Sequence, residues 1–110
     1  MHASIRRKLE QLAERHEELE HLLASPEVLA DARRLREVSR EHAQLTPLAS
    51  ALQAWHTSER ALAEAEAMLR EADLRELASA EIPLLESTRE RLEHELNCAL
   101  IPTDPRDQGN

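Results

Sequence analysis

The residues able to do chemistry are few, and most stand at the wrong spacing. His16 and His21 bracket a Glu-Glu-Leu-Glu run in the manner of a two-histidine zinc helix. A five-residue separation turns one histidine about 140° round a helix from the other, whereas ligation along one helix requires the four-residue step. The expected arrangement is His16 in the helix seam at a wet end of the bundle and His21 on the surface. His94 and Cys98 do stand four residues apart, but two ligands do not make a structural zinc site and no Cys-x-x-Cys accompanies them. No metal site is expected. A phosphate cradle needs glycines that let backbone N–H groups approach the ligand, and the sole glycine is Gly109. Nucleotide binding is thereby excluded, and no cofactor is expected. Nucleophilic catalysis would need Ser or Cys beside a base in a concave pocket, which narrow helical bundles without loops rarely provide. Cys98 reads as a small helix-face residue, no catalytic residue is expected, and the chain is not expected to be an enzyme.

One group points to a partner. Arg33, Arg36 and Arg40 recur at steps of three and four, so they share a helix face, with Arg34 adjacent. This is the one concentrated basic patch. Either it is a solvated face neutralised by Glu37 and Glu41, or it is a small docking surface for RNA or an acidic protein.

The elements that must position these residues are helices. Leu, Ala, Glu and Arg dominate, 33% of residues are charged, there is one glycine, and Phe and Tyr are absent. Sheets need β-branched and aromatic faces and glycine at tight turns, so an all-α chain is expected. A chain of 110 residues holds one domain and buries about 65% of its unfolded surface. With 22 Asp plus Glu against 14 Lys plus Arg, the surface repels DNA and anionic lipid alike wherever basic residues are not segregated. No run approaches the ~20 apolar residues of a membrane span. A single cysteine and a polar N-terminus point to a reducing cytoplasmic location.

Apolar positions place the elements. Ile5, Leu9, Leu12, His16, Leu19 and Leu23 follow steps of four and three, predicting a first helix capped by Ser4 and ending near Ala24 before the Ser25-Pro26 pair. A short turn or brief helical start then leads to Asp31, the expected cap of a second helix. Leu35, Val38, His42, Leu45, Leu48, Leu52, Trp55, Leu62, Ala65 and Leu69 form one stripe of about 40 residues, with a polar gap near Ser58 and Trp55 as the one large plug. Pro47 lies inside it and removes a hydrogen bond to the Ala43 carbonyl, while Thr46 could cap a fresh start. The stripe keeps register across Pro47, which favours a kink; a true turn there would give four antiparallel helices. Asp73-Leu74-Arg75-Glu76 has the pattern of a capping box. The stripe that follows is Leu74, Leu77, Ile82, Leu85, Leu92, Leu96 and Ala99, with Pro83 expected to bend it near Ser79. The expected architecture is an elongated antiparallel three-helix bundle with a long, Pro-kinked second helix, residues 1–100, followed by an extended tail, 101–110, approaching another domain.

That tail, Leu100-Ile101-Pro102-Thr103-Asp104-Pro105-Arg106-Asp107-Gln108-Gly109-Asn110, is similar to the Leu-Leu-x-Pro-x-Asp-Pro-x-Asp-x-x-Asn stretch that ends the helical domain of the release factor 1 family of bacterial class I peptide chain release factors. Leu9-Glu10, Glu14-Arg15-His16-Glu17-Glu18, the run Leu35 to Leu45, Ala67-Met68-Leu69, Asp73 and Leu74-Arg75-Glu76-Leu77-Ala78 resemble the family's helices across the whole chain. The sequence departs from the family at His42, where an aromatic is usual, at Ile101, where Leu is usual, and at Pro83, in a helix usually unbroken.

The resemblance implies the N-terminal domain of a factor directing peptide release at UAA and UAG. It also implies a peripheral role: docking at the stalk base of the large ribosomal subunit and communication with the class II release factor GTPase. The family reads codons through a Pro-x-Thr-type tripeptide and hydrolyses peptidyl-tRNA through a Gly-Gly-Gln loop, both downstream of this domain, so no family functional residue carries over onto this chain. Arg33, Arg36 and Arg40 are the expected contact face, and a monomer is expected. The competing reading is a freestanding coiled-coil scaffold or adaptor that oligomerises through its stripes.

Overall fold

The computed structural model describes residues 1–100. Their regular structure is helical throughout: α1 spans Ala3–Leu23, α2 Pro26–Leu29, α3 Ala32–Met68 and α4 Arg75–Leu100. No strand occurs among the described residues. The tail 101–110, read as an extended linker, lies outside them. The chain divides into two compact units, Met1–Gln53 and Ala54–Asn110, and α3 contributes residues to each.

In the first unit α1 starts earlier than expected. His2 is its N-cap, and no side chain caps it. Ser4 therefore stands inside the first turn, because Ala3, the best helix former, lets the helix propagate past it. The helix closes with the Ala24 N–H donating to the His21 carbonyl at 3.1 Å and the Ser25 N–H to that of Leu22 at 3.0 Å. Pro26, with no N–H to donate, then opens the one-turn α2, where the Ser25 side chain makes no cap bond. Asp31 is the cap that holds: its Oδ1 accepts from the backbone N–H groups of Arg33 at 3.1 Å and Arg34 at 3.2 Å.

Pairings His16 with Thr46 and Glu20 with His42 advance four residues on α1 while retreating four on α3, so these segments run antiparallel. Between them Leu19, Val28 and Val38 are buried, with Leu22, Leu23, Leu35 and Leu45 packed against them. Leu9, Leu48 and Leu52 are buried as well. Each such side chain contributes about 1.5–3 kcal/mol of burial. Val28 explains α2: one turn of helix suffices to deliver an apolar side chain to the core.

α3 is continuous through Pro47, so the chain does not reverse there and the four-helix alternative fails. Thr46 caps nothing. Its hydroxyl donates to the His42 carbonyl at 2.8 Å, one turn back within the same helix.

In the second unit, Trp55 with Glu93 and Glu59 with Arg89 again advance and retreat by four, making α4 antiparallel to residues 54–68. Trp55, Leu62 and Ala65 are buried from α3, and Ala78, Leu92 and Leu96 from α4. The polar gap is filled: Ser58 is buried, and its Oγ donates to the Trp55 carbonyl at 2.7 Å. Between the helices, Arg75 Nε–H donates to the Leu69 carbonyl at 3.0 Å and satisfies an acceptor at the end of α3.

No capping box forms at Asp73, and α4 starts one residue later than that pattern implies. The Leu74 N–H donates to the Glu71 carbonyl at 3.1 Å and the Leu74 carbonyl accepts from Ala78 at 2.9 Å, so Leu74 is the cap and Asp73 belongs to the preceding turn. The stripe shifts with it. Ala78 is fully buried, whereas Leu77 is 54% exposed, and Ala99 is exposed too. Ala78, Ile82, Leu85, Leu92 and Leu96 keep one phase that Leu77 does not share. Pro83 lies inside α4 without ending it.

Candidate functional site

The arginine face stands at the start of α3. Arg33, Arg34, Arg36 and Arg40 are all exposed. Arg33 Nε lies 3.4 Å from Glu37 Oε1, one turn along. Glu41, the other neutralising residue expected from sequence, turns away: it takes Arg15 of α1 in a bidentate pair, Nε to Oε2 at 2.7 Å and Nη2 to Oε1 at 3.0 Å. That hydrogen bonding holds the Glu41 carboxyl below its ordinary pKa and raises that of the Arg15 guanidinium. Arg15 also reaches Glu18 at 3.3 Å. Arg36 and Arg40 are left without an ion pair among the described residues, two exposed cations on one face of a chain of net charge -8.

A second cluster joins α1 to α3, and the sequence did not single it out. His16 and His42 stack, with ring centroids 4.2 Å apart and planes 19° from parallel. Glu20, one turn after His16, places Oε1 at 3.3 Å from His42 Nε2 and 3.7 Å from His16 Nδ1. On the other side of its ring, His16 Nε2 lies 3.0 Å from Thr46 Oγ1. The Thr46 hydroxyl has one proton, and the His42 carbonyl receives it. The hydrogen bond between His16 and Thr46 must then be donated by His16 Nε2, which leaves Nδ1 of the neutral ring with a bare lone pair facing a carboxylate. His16 is thus in the seam, as its place in the stripe predicts. His42, read from sequence as a stripe residue and as a departure from the family's usual aromatic, is the partner that completes the group. The usable signal was the four-residue step from His16 to Glu20. The contribution of His42 depends on the register between two helices, which neither segment states alone.

The remaining candidates stay apart. Cys98 Sγ lies 3.7 Å from His94 Nε2, and both are exposed. Among the described residues the groups able to offer three ligands to one ion comprise only His16, Glu20 and His42. In the second unit an open groove is lined by Ala54, Thr57, Ser58, Ala61, Leu85 and Thr88, with Arg91 and Leu92. No imidazole, thiol or carboxylate stands in that lining to serve one of its hydroxyls as a base. No described helix is long and apolar enough to cross a membrane.

Comparison with known proteins adds two findings. The family model described as the PCRF domain matches residues 12–110. Peptide chain release factor 1 of Xylella fastidiosa (strain 9a5c) is 46% identical over 110 residues, which is 100% of this chain and 30% of that relative. The chain therefore spans about 30% of the length of the curated relative it matches. No solved structure matches.

Proposed function

We propose, from the premise that the chain belongs to the PCRF-domain family, that it forms the N-terminal helical domain of a translation termination factor of the release factor 1 type. The observation that carries this reading is 46% identity running the whole length of the chain to a relative named as such a factor. The factor so read acts in the cytoplasm and directs peptide release at UAA and UAG. Residues 1–100 are its helical domain, and residues 101–110 lead toward domains that read the codon and hydrolyse peptidyl-tRNA. With Gly109 as its sole glycine, the chain has no Gly-Gly-Gln loop, so its own role is docking and coupling: contact with the ribosome at the large-subunit stalk base and with the class II release factor GTPase.

Arg33, Arg36 and Arg40 are the contact face in this reading. What supports them is the diversion of Glu41 to Arg15, which leaves Arg36 and Arg40 available to phosphate or to an acidic partner. The experiment compares three versions of the full-length factor: intact, lacking residues 1–100, and carrying Arg33→Glu, Arg36→Glu and Arg40→Glu together. Stop-codon-dependent hydrolysis and GTPase-stimulated dissociation from ribosomes are read for each. The deletion should leave hydrolysis largely intact and weaken recycling. The triple reversal should weaken recycling most at low salt. Hydrolysis abolished by the deletion on saturated ribosomes would sink the docking role, and recycling untouched by the reversal would show the arginines to be merely solvated.

A further inference from the structure

We propose that His16, Glu20 and His42 form a binding site for one divalent transition-metal ion of the zinc type, which clips α1 to the first part of α3. The donor set comes first. Two imidazoles and a carboxylate suit zinc and its neighbours, whereas magnesium and calcium prefer all-oxygen shells. Spacing agrees with the chemistry. Around a tetrahedral ion with bonds of ~2.0–2.1 Å, neighbouring donor atoms stand about 3.4 Å apart. Glu20 Oε1 lies 3.3 Å from His42 Nε2 and 3.7 Å from His16 Nδ1, and all three ligand atoms fall within 4.8 Å of one another. The two rings stack with planes 19° apart, and an imidazole ligates in its own ring plane, so closing on an ion requires the His42 ring to turn out of the stack about its side-chain torsions while His16 keeps its place.

The surroundings orient His16 as a ligand. Thr46 fixes the proton of His16 on Nε2, as its own hydroxyl is committed to the His42 carbonyl. A ligating histidine is ordinarily oriented in this way, donating its far N–H so that the near nitrogen presents its lone pair. In the neutral ring that lone pair faces a carboxylate oxygen at 3.7 Å, two acceptors between which a metal ion can stand. Arg15, adjacent in sequence, does not compete for Glu20, because it is held by Glu41 and Glu18. The Glu20 side chain is 56% exposed, so water can reach the site and complete the coordination shell, as it does in sites with three protein ligands.

The test uses the untagged, metal-free 110-residue chain, titrated with Zn²⁺ and, for its spectrum, with Co²⁺ at neutral pH. One ion per chain is expected, with the visible absorption of a tetrahedral Co²⁺ in nitrogen and oxygen ligands and a rise in Tm with added Zn²⁺. In the ¹⁵N spectrum of the imidazoles, His16 and His42 should shift, while His2, His21, His56 and His94 do not. His42→Gln and Glu20→Gln should each weaken binding at least tenfold. Thr46→Val, which touches no ligand atom but removes the acceptor that orients His16, should weaken it about 10-fold. His94→Ala with Cys98→Ser, and His2→Ala, should leave it unchanged. The proposal is overturned if His42→Gln and Glu20→Gln, shown folded by circular dichroism, bind as the parent does. It is equally overturned if the Co²⁺ spectrum carries a thiolate band that Cys98→Ser removes, or if the parent's His16 and His42 signals answer to pH and not to Zn²⁺.

Discussion

Arg40 and Glu41 are neighbours in sequence yet serve different surfaces, since consecutive helix residues point about 100° apart. Glu41 therefore reaches α1, where Arg15 takes both its oxygens, and Arg40 stays with the solvent. The pairing has a consequence in titration. Because hydrogen bonding from Arg15 lowers the Glu41 carboxyl below the ordinary glutamate value of 4.5, whatever the pair adds to folding is present in full above that value and is lost as pH falls through the lower, folded one. A carboxyl ¹³C titration should show Glu41 protonating below the ordinary glutamate value, and Arg15→Gln should raise its midpoint. Equal midpoints in the two proteins would mean that the pair does not persist in solution. Both side chains are largely exposed, so added salt should narrow the difference. Much of this was open to reading in advance. The divergence of Arg40 and Glu41 follows from their numbering alone, but the identity of the partner, Arg15, required the register of α1 against α3. The cluster of His16, Glu20 and His42 stayed hidden for the same reason.

At the scale of elements, periodicity read well and end signals read poorly. The stripes of α1 and α3 follow from steps of three and four, and the buried Leu9, Leu19, Val38, Leu48, Leu52, Trp55, Leu62 and Ala65 all lie at or in phase with those steps. Asp31 was a legible cap because a carboxylate just before a helical run has two backbone donors within reach. Ser4 and Asp73 were equally plausible in type and failed, while Ser25 takes the N-cap position of α2 without a side-chain bond. A cap depends on one residue's backbone conformation, and Ala3 or the turn closed by Glu71 set it differently. Reading the stripe of α4 through Leu74 and Leu77 put Leu77 in the core and left Ala78 out, a slip of one position that reverses which side chain is buried. Pro47 offers a sharp test of the continuous helix. Inside α3 it costs about 3 kcal/mol relative to Ala through the lost bond to the Ala43 carbonyl and the crowding of that group. Its stiffening of the unfolded chain returns roughly 0.4–1 kcal/mol. Pro47→Ala should thus stabilise the chain by about 2 kcal/mol, read as a higher urea midpoint at unchanged slope. A lower midpoint would show that the surrounding side chains have packed to the proline ring.

For the molecule as a whole, the choice between a docking domain and a self-associating scaffold turns on what its surface leaves unpaired. The apolar stripes are buried within the chain, and among the described residues the large hydrophobic side chains left exposed are Met1, Leu29, Leu77 and Leu84. Of these, Leu77 and Leu84 lie two turns apart on α4, too little apolar surface to resemble the continuous seam that coiled-coil partners share. Charge works in the same direction, because a net charge of -8 makes two copies repel at low ionic strength. The two grounds for expecting a monomer can be separated by salt, which screens repulsion beyond about 10 Å at 0.1 M and about 3 Å at 1 M but leaves the apolar surface as it is. Sedimentation equilibrium at micromolar concentration should give a monomer at both ionic strengths, unchanged by Leu77→Ser with Leu84→Ser. A dimer emerging only at high salt, and abolished by that double substitution, would identify the α4 face as a self-association surface and shift the weight of the argument from docking to scaffolding.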